Sequence, residues 1–217
     1  MLKMVSKNVN EVSSNGHSPP RLVAVSKEKP VDMIIQAYEA GQKYFGENKV
    51  LKKSRSQSTL SWHFIGRIQS NKIKKLTGIF NYQKNLAMVE TVDSADHAEL
   101  LNSSWGAVSR KPLPVLIQVN TSGEPQKGGV HPDEIVRLFQ HVKDNCPNLC
   151  LKGLMCIGMQ FTGQEKHPNP DFVVGFRIVT NLLNAGQSWE CRMISKKQFI
   201  SLGSTSVRVG TTIFGER

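Results

Sequence analysis

Leu22-Val23-Ala24-Val25-Ser26-Lys27 is a compact apolar run, rich in β-branched residues, that stops on a serine and a lysine. It reads as a buried strand ending in a polar step. Pro30 then opens a stretch in which Met33, Ile34, Ala37 and Tyr38 recur at helical spacing, with Gly41 as its stop. The same alternation continues along the chain. Strands are expected at Tyr44–Gly46, Trp62–Ile65, Met88–Val92, Pro114–Val119, Leu151–Ile157, Arg192–Ile194 and Val207–Val209. Helices are expected after Gly66, over Ser94–Trp105, over Pro132–Val142 and over Phe172–Leu183. About eight strands separated by helices, with few hairpin signals, mean parallel strands joined by crossovers. The expected fold class is α/β, a (β/α)8 TIM-type barrel, with a doubly wound open sheet as the alternative. The stretches between Glu47 and Ser61 and between Ile194 and Ser206 are short, so one shortened unit is expected. A polar lead-in over residues 1–20, punctuated by Pro19-Pro20, would precede a single barrel domain over 21–217.

The composition fits one such domain. The chain has 217 residues, of which 39% are hydrophobic and 21% charged, the profile of an ordinary globular protein. Lys and Arg number 28 against 17 Asp and Glu, a net charge of +11 that favours anionic partners without naming one. Cys146, Cys150, Cys156 and Cys191 match no zinc-ligand spacing and sit among apolar neighbours, so they are expected as reduced packing residues. There is no apolar run long enough to span a bilayer, and the first twenty residues lack the apolar core of a secretory signal. A reducing compartment, the cytoplasm, is the expected location. The basic run Lys72, Lys74, Lys75 with Arg67 stands without any nucleic-acid-binding motif and reads as a solvated helix face.

In parallel α/β folds ligands bind at the carboxyl ends of the strands. Lys27 ends the first strand and continues the parity of Val23 and Val25. An inward lysine there loses hydration, which favours its neutral, nucleophilic amine; the bland alternative is a rim-loop lysine. Asn48 follows the second strand. His63 lies within the third, where a hydrogen-bonded core residue is the ordinary reading. Asn120-Thr121-Ser122-Gly123-Glu124 ends the fifth strand as a turn. Gly203-Ser204-Thr205 and Gly210-Thr211-Thr212 flank the last strand, and small residues with free N–H and hydroxyl groups make an anion nest. Between them Arg208 points opposite to Val207 and Val209, hence into the barrel. A lysine, an arginine and a phosphate nest describe a site for an anionic, carbonyl-bearing ligand.

These segments stand in a familiar order. Val23–Lys27, Phe45-Gly46-Glu47-Asn48, Trp62–Gly66 with Gln69 and Asn71-Lys72, Gln118–Glu124, Gly203-Ser204-Thr205 and Val207–Gly210 together resemble the pyridoxal phosphate homeostasis protein family, single-domain relatives of the alanine racemase barrel. The resemblance runs from about Arg21 to Arg217. It implies a barrel that binds pyridoxal 5′-phosphate, with Lys27 as the Schiff-base lysine and Arg208 facing the pyridine nitrogen. It also implies Asn48 as a cofactor-side residue and Gly210 and Thr211 in the phosphate loop. A cation beside the ring nitrogen opposes its protonation and makes the ring a poorer electron sink. Alanine racemase draws a tyrosine from a second domain, which is not expected here. The implied role is a cofactor carrier and regulator rather than an enzyme, with a weak amino-acid racemase as the alternative. Implied partners are the cofactor and the apoenzymes that receive it; no membrane and no nucleic acid is expected, and a monomer is favoured. One segment departs from the family. Cys191-Arg192-Met193-Ile194-Ser195-Lys196-Lys197-Gln198-Phe199 stands where the family carries Ser-Met-Gly-Met-Ser-x-Asp-Phe, so a weaker phosphate grip is expected.

Overall fold

A computed structural model of the chain describes residues 20–49, 60–82, 85–157, 173–174, 178, 190–191 and 204–215. The opening apolar run forms β1 (Arg21–Val25), and the segment after it α1 (Val31–Glu39). Pro30 caps the helix at φ −58°, where a missing N–H costs nothing. Gly41 takes φ +100° just past the end, the left-handed step that stops helices. There follow β2 (Tyr44–Glu47), β3 (Ser61–Phe64), α2 (Ile73–Tyr82), β4 (Leu86–Val92), α3 (Ala95–Gly106) and β5 (Leu113–Val119). The chain then continues through α4 (Ile135–Asn145), β6 (Leu149–Cys156), β7 (Glu190–Cys191), β8 (Ser206–Val209) and a one-turn α5 (Thr211–Phe214). Ser94 starts α3 by accepting the His97 N–H on its hydroxyl at 3.2 Å.

Every pairing between the described strands is parallel, and the order is β7-β6-β5-β4-β3-β2-β1-β8. Seven strands run in sequence order, and the eighth sits beside the first. In an open sheet the last crossover would have to span the whole width; in a ring it joins neighbours. Side chains confirm the curl, because Arg208 of β8 reaches Glu90 of β4 and Met155 of β6 across the interior. The architecture is an α/β barrel of the TIM type.

Strand parity divides the apolar residues into two cores. Ala24, Phe45, Trp62, Val89, Ile117 and Leu154 face outward and pack with the helices, among them Leu76, Leu101, Trp105 and Leu138. Each fully buried aliphatic side chain, such as Leu101 or Ile117, contributes about 1.5–3 kcal/mol. Met88, Leu116 and Met155 form a second, smaller cluster inside the barrel. Register follows the same parity: Val23 lies beside Arg208, Gly46 beside His63, and His63 beside Met88. Val207, on the other face of β8, is buried against Leu22, Val209 and Ile213.

Cys146, Cys150 and Cys156 are free thiols, and the first and last of them are buried. Among the described residues no helix is long and apolar enough to cross a membrane. No cluster of His, Cys, Asp and Glu there is suited to a metal ion. The polar lead-in up to residue 19 and the strand at 192–194 lie outside the described residues. So does the altered segment from residue 192 onward, as do most of the two short units and of the helix at 172–183. The described part of the seventh strand ends at Cys191.

Candidate functional site

The carboxyl end of β1 is built as a fixed turn. Ser26 is wholly buried; its N–H donates to the Gly46 carbonyl at 3.2 Å, and its hydroxyl donates to Glu47 Oε1 at 2.7 Å. The Lys29 N–H returns to the Ser26 carbonyl at 3.1 Å, and Glu28 takes φ +61° between them. A left-handed conformation is costly for a residue with a Cβ, so it persists where the surroundings determine it. Here both flanks are tied. Lys29, only 9% exposed, donates from its ammonium to the Gly215 carbonyl at 2.9 Å, binding the turn to the residue after α5. Lys27 sits inside this turn, two residues beyond Val25, and is half-buried.

The end of β8 meets the end of β1. Val23 is in register with Arg208 and Ala24 with Val209, and the Gly210 backbone lies against Val25. A Cβ built on Gly210 would stand 3.3 Å from the Val25 Cβ, so Gly fits closely there. The Gly210 carbonyl accepts from Ile213 and Phe214 N–H at 2.9 Å, and the exposed Thr211 begins α5. Lys27, Gly210 and Thr211 are thereby brought to one edge of the barrel. Asn48 follows β2, the next strand round, and is half-buried. Gly66 lies against its backbone so closely that a Cβ would collide with it.

Arg208 turns inward, with its side chain 8% exposed. Its Nη1 lies 3.5 Å from Glu90 Oε2, and its Nη2 lies 3.8 Å from the Met155 sulfur. Burial pushes the Arg208 guanidinium below its ordinary range, while Glu90 and then Cys156 oppose that shift. Glu90 also accepts from His63 Nδ1 at 2.5 Å through its other oxygen. His63 is thus a hydrogen-bonded core residue, 1% exposed, with Tyr44 edge-on at 5.7 Å. Sequence reasoning passed over Glu90, although a lone acid in the apolar run Met88-Val89-Glu90-Thr91-Val92 was the available signal.

The turn after β5 is self-contained. Asn120 donates to the Glu124 carbonyl at 3.1 Å, Gln118 donates to the Lys127 carbonyl at 2.8 Å, and Lys127 pairs with Glu124. The Lys127 hydrogen bond holds the Glu124 carboxyl below its ordinary range. Gly123 there adopts φ +69°. Beside Asn48 a cleft of about 220 Å³ opens, floored by Phe64 and Leu76 and rimmed by Lys49, Arg67, Lys72 and Lys75. These four cations are exposed, and Lys49 pairs with Glu28 at 3.3 Å.

Comparison with known proteins agrees with this architecture. The family described as alanine racemase, N-terminal domain, matches residues 2–217. The pyridoxal phosphate homeostasis protein of Schizosaccharomyces pombe is 44% identical over 213 residues, covering 94% of this chain and 87% of the yeast protein. That of Mus musculus is 42% identical over 220 residues, covering 91% of this chain and 77% of the mouse protein. Among solved structures, PipY of Synechococcus elongatus with PLP bound superposes with a TM-score of 0.76 at 25% identity, covering 97% of this chain and all of that one. An alanine racemase of Clostridium difficile shares the fold at a TM-score of 0.74 and 14% identity; all of this chain is covered and 56% of that one. With the barrel, the β1–β8 edge and these similarities in place, the chain belongs to the alanine racemase N-terminal domain family, and within it to the pyridoxal phosphate homeostasis proteins.

Proposed function

We propose that this chain binds pyridoxal 5′-phosphate at the carboxyl edge of β1 and β8, holds it through Lys27, and acts in cofactor homeostasis without robust turnover. The carrying observation is the seating of Gly210 against Val25, which supports a site where the end of β8 meets the end of β1, two residues before Lys27, while Arg208 points into the barrel. The donor set fits the group: a primary amine, a guanidinium, an amide side chain, and the backbone N–H groups of Thr211 and Thr212, which precede the Ile213 and Phe214 N–H groups taken by the Gly210 carbonyl. The names of the yeast and mouse relatives and the PLP-bound PipY structure support the same reading.

When bound, the cofactor supplies an aldehyde and an electron-accepting ring. Lys27 would supply the primary amine that holds the cofactor at that aldehyde. Gly210 and Thr211 would hold the phosphate, Asn48 would orient the ring from the β2 side, and Arg208 would stand toward the ring nitrogen. A guanidinium there opposes protonation of that nitrogen and weakens carbanion chemistry. Neither of the two tyrosines whose side chains are described stands at the carboxyl edge of the strands. Tyr38 lies on α1, and Tyr44 sits at the amino end of β2 against His63 and Arg21. Residues 21–217 form the binding domain in this reading, a cytoplasmic monomer whose partners are recipient apoenzymes.

The test is an absorbance spectrum with pyridoxal 5′-phosphate, followed by borohydride reduction and peptide mapping. The expected result is a band near the visible edge, lost in Lys27→Ala, with Lys27 carrying the reduced adduct. Label on another lysine would refute the assignment. Sustained amino-acid racemisation by the loaded protein would favour the enzyme reading instead.

A further inference from the structure

Glu90 stands in mid-strand, 3% exposed, with each carboxylate oxygen committed: Oε1 to His63 Nδ1 at 2.5 Å and Oε2 to Arg208 Nη1 at 3.5 Å. The three side chains come from β3, β4 and β8, and their exposures of 1%, 3% and 8% make this a chain of charge and hydrogen bonds inside the barrel. Such a chain is not what packing alone would select. Apolar side chains of similar volume often fill a buried ion pair's place at equal or greater stability, as Met88, Leu116 and Met155 do close by. Arg208 carries five N–H donors in a planar fork. Among the described residues Glu90 is its one strong acceptor, the Met155 sulfur at 3.8 Å being weak. The fork is therefore held on one side, with donors left over for a ligand atom.

We propose that Glu90 is a positioning residue which, backed by His63, clamps Arg208 so that its guanidinium is presented to the ring nitrogen of the cofactor. The inference rests on the proposed function and adds to it the device that aims the arginine. His63 fixes the carboxylate plane through the first oxygen, and that plane fixes the fork through the second. Without the Glu90 charge, Arg208 loses the partner that offsets its burial and swings away from the position that faces the ring. The titratable and charged groups that face this arginine in the structure are Glu90, His63 behind it, and Cys156 of β6.

Glu90→Gln keeps the shape and removes the charge. In the wild-type protein loaded with pyridoxal 5′-phosphate, the absorbance band should stay constant between about pH 6 and 9, because the clamped cation opposes ring protonation. In Glu90→Gln the band should shift at the acid end, and affinity should fall by about ten-fold or more. A variant with the wild-type band, the wild-type pH response and an affinity within about two-fold would overturn the clamp. Melting the cofactor-free proteins separates misfolding from misplacement. Glu90→Gln and Arg208→Met should each lower Tm, and the double variant should recover at least part of the loss, since neither charge is then left alone. Strictly additive losses would refute the clamp. If the wild-type protein shows no band, the proposed function falls, and the melting cycle alone decides whether Glu90 holds Arg208.

Discussion

Gly66→Ala tests how closely the loop after β3 supports Asn48. A Cβ at Gly66 would lie 2.8 Å from the Asn48 Cα and 2.9 Å from its carbonyl carbon, well inside ordinary carbon–carbon contact. The Asn48 carbonyl oxygen would lie nearer still; all three opposing atoms are backbone, and neither segment has slack. The Ile65 N–H donates to the Glu47 carbonyl at 2.8 Å, and the Thr91 hydroxyl donates to the Gly66 carbonyl at 2.6 Å. Relief requires a shift of about an ångström in one of them, an overpacking cost of about 1–3 kcal/mol. For a chain of this size that corresponds to a Tm lower by about 2–12 °C. Gly78→Ala in α2 is the matched control: nothing lies within 4 Å of its Cβ position, and an alanine in a helix interior gains about 0.5–1 kcal/mol over glycine. The assay is thermal melting of both variants with and without pyridoxal 5′-phosphate. Gly66→Ala should lose stability and most of the cofactor-induced rise in Tm, while Gly78→Ala keeps both. Equal melting of the two variants would refute the close approach, and an unchanged cofactor-induced rise would remove Asn48 from the site.

The remaining predictions concern the turn after β5 and the cysteines. Lys127→Ala should raise the pH at which the Glu124 carboxyl titrates, read from its side-chain carbon shift by NMR. Since the folded-state value is lowered, the contribution is present above the unfolded carboxylate's pKa and lost as pH falls through the folded one. Wild type and variant should therefore differ by a constant amount above about pH 4.5 and converge below it, as the carboxyl is protonated in both. Burial pushes the Cys146 thiol up, so Cys146 should react with a maleimide at neutral pH far more slowly than the half-buried Cys150. Mass spectrometry of tryptic peptides would show it, and equal labelling would mean that α4 opens readily.

Most barrel strands were legible because each is a short apolar run stopped locally by polar or glycine residues; the seventh was expected at Arg192–Ile194, and its described part is Glu190–Cys191. Leu22–Val25 and Pro114–Val119 needed no distant information. Arg208 was placed inward by parity alone, and its contacts with Glu90 and Met155 show why parity sufficed: β8 is regular and paired with β1 over four residues. What escaped was reciprocity. Glu90 acquires meaning only from His63 and Arg208, which come from two other strands, and Lys29 only from a carbonyl 186 residues away. The Ser26–Glu47 bond likewise joins two segments each read as an ordinary strand end. The basic run around Lys72 read as a solvated face, and its side chains are exposed, yet it also rims the cleft beside Asn48.

The seam between β8 and β1 has a consequence for synthesis. Ser206 hydrogen-bonds to Arg21, 185 positions earlier, and Lys29 is fastened to Gly215. A ribosome extruding this chain has released Lys27 long before the segment that completes its surroundings exists. Until then β1 is a half-partnered edge, open to pairing with another chain. Contacts of such sequence separation form late and slowly. A cofactor that binds only the finished seam would trap it by mass action, so supply of the vitamin form would influence how much nascent protein matures.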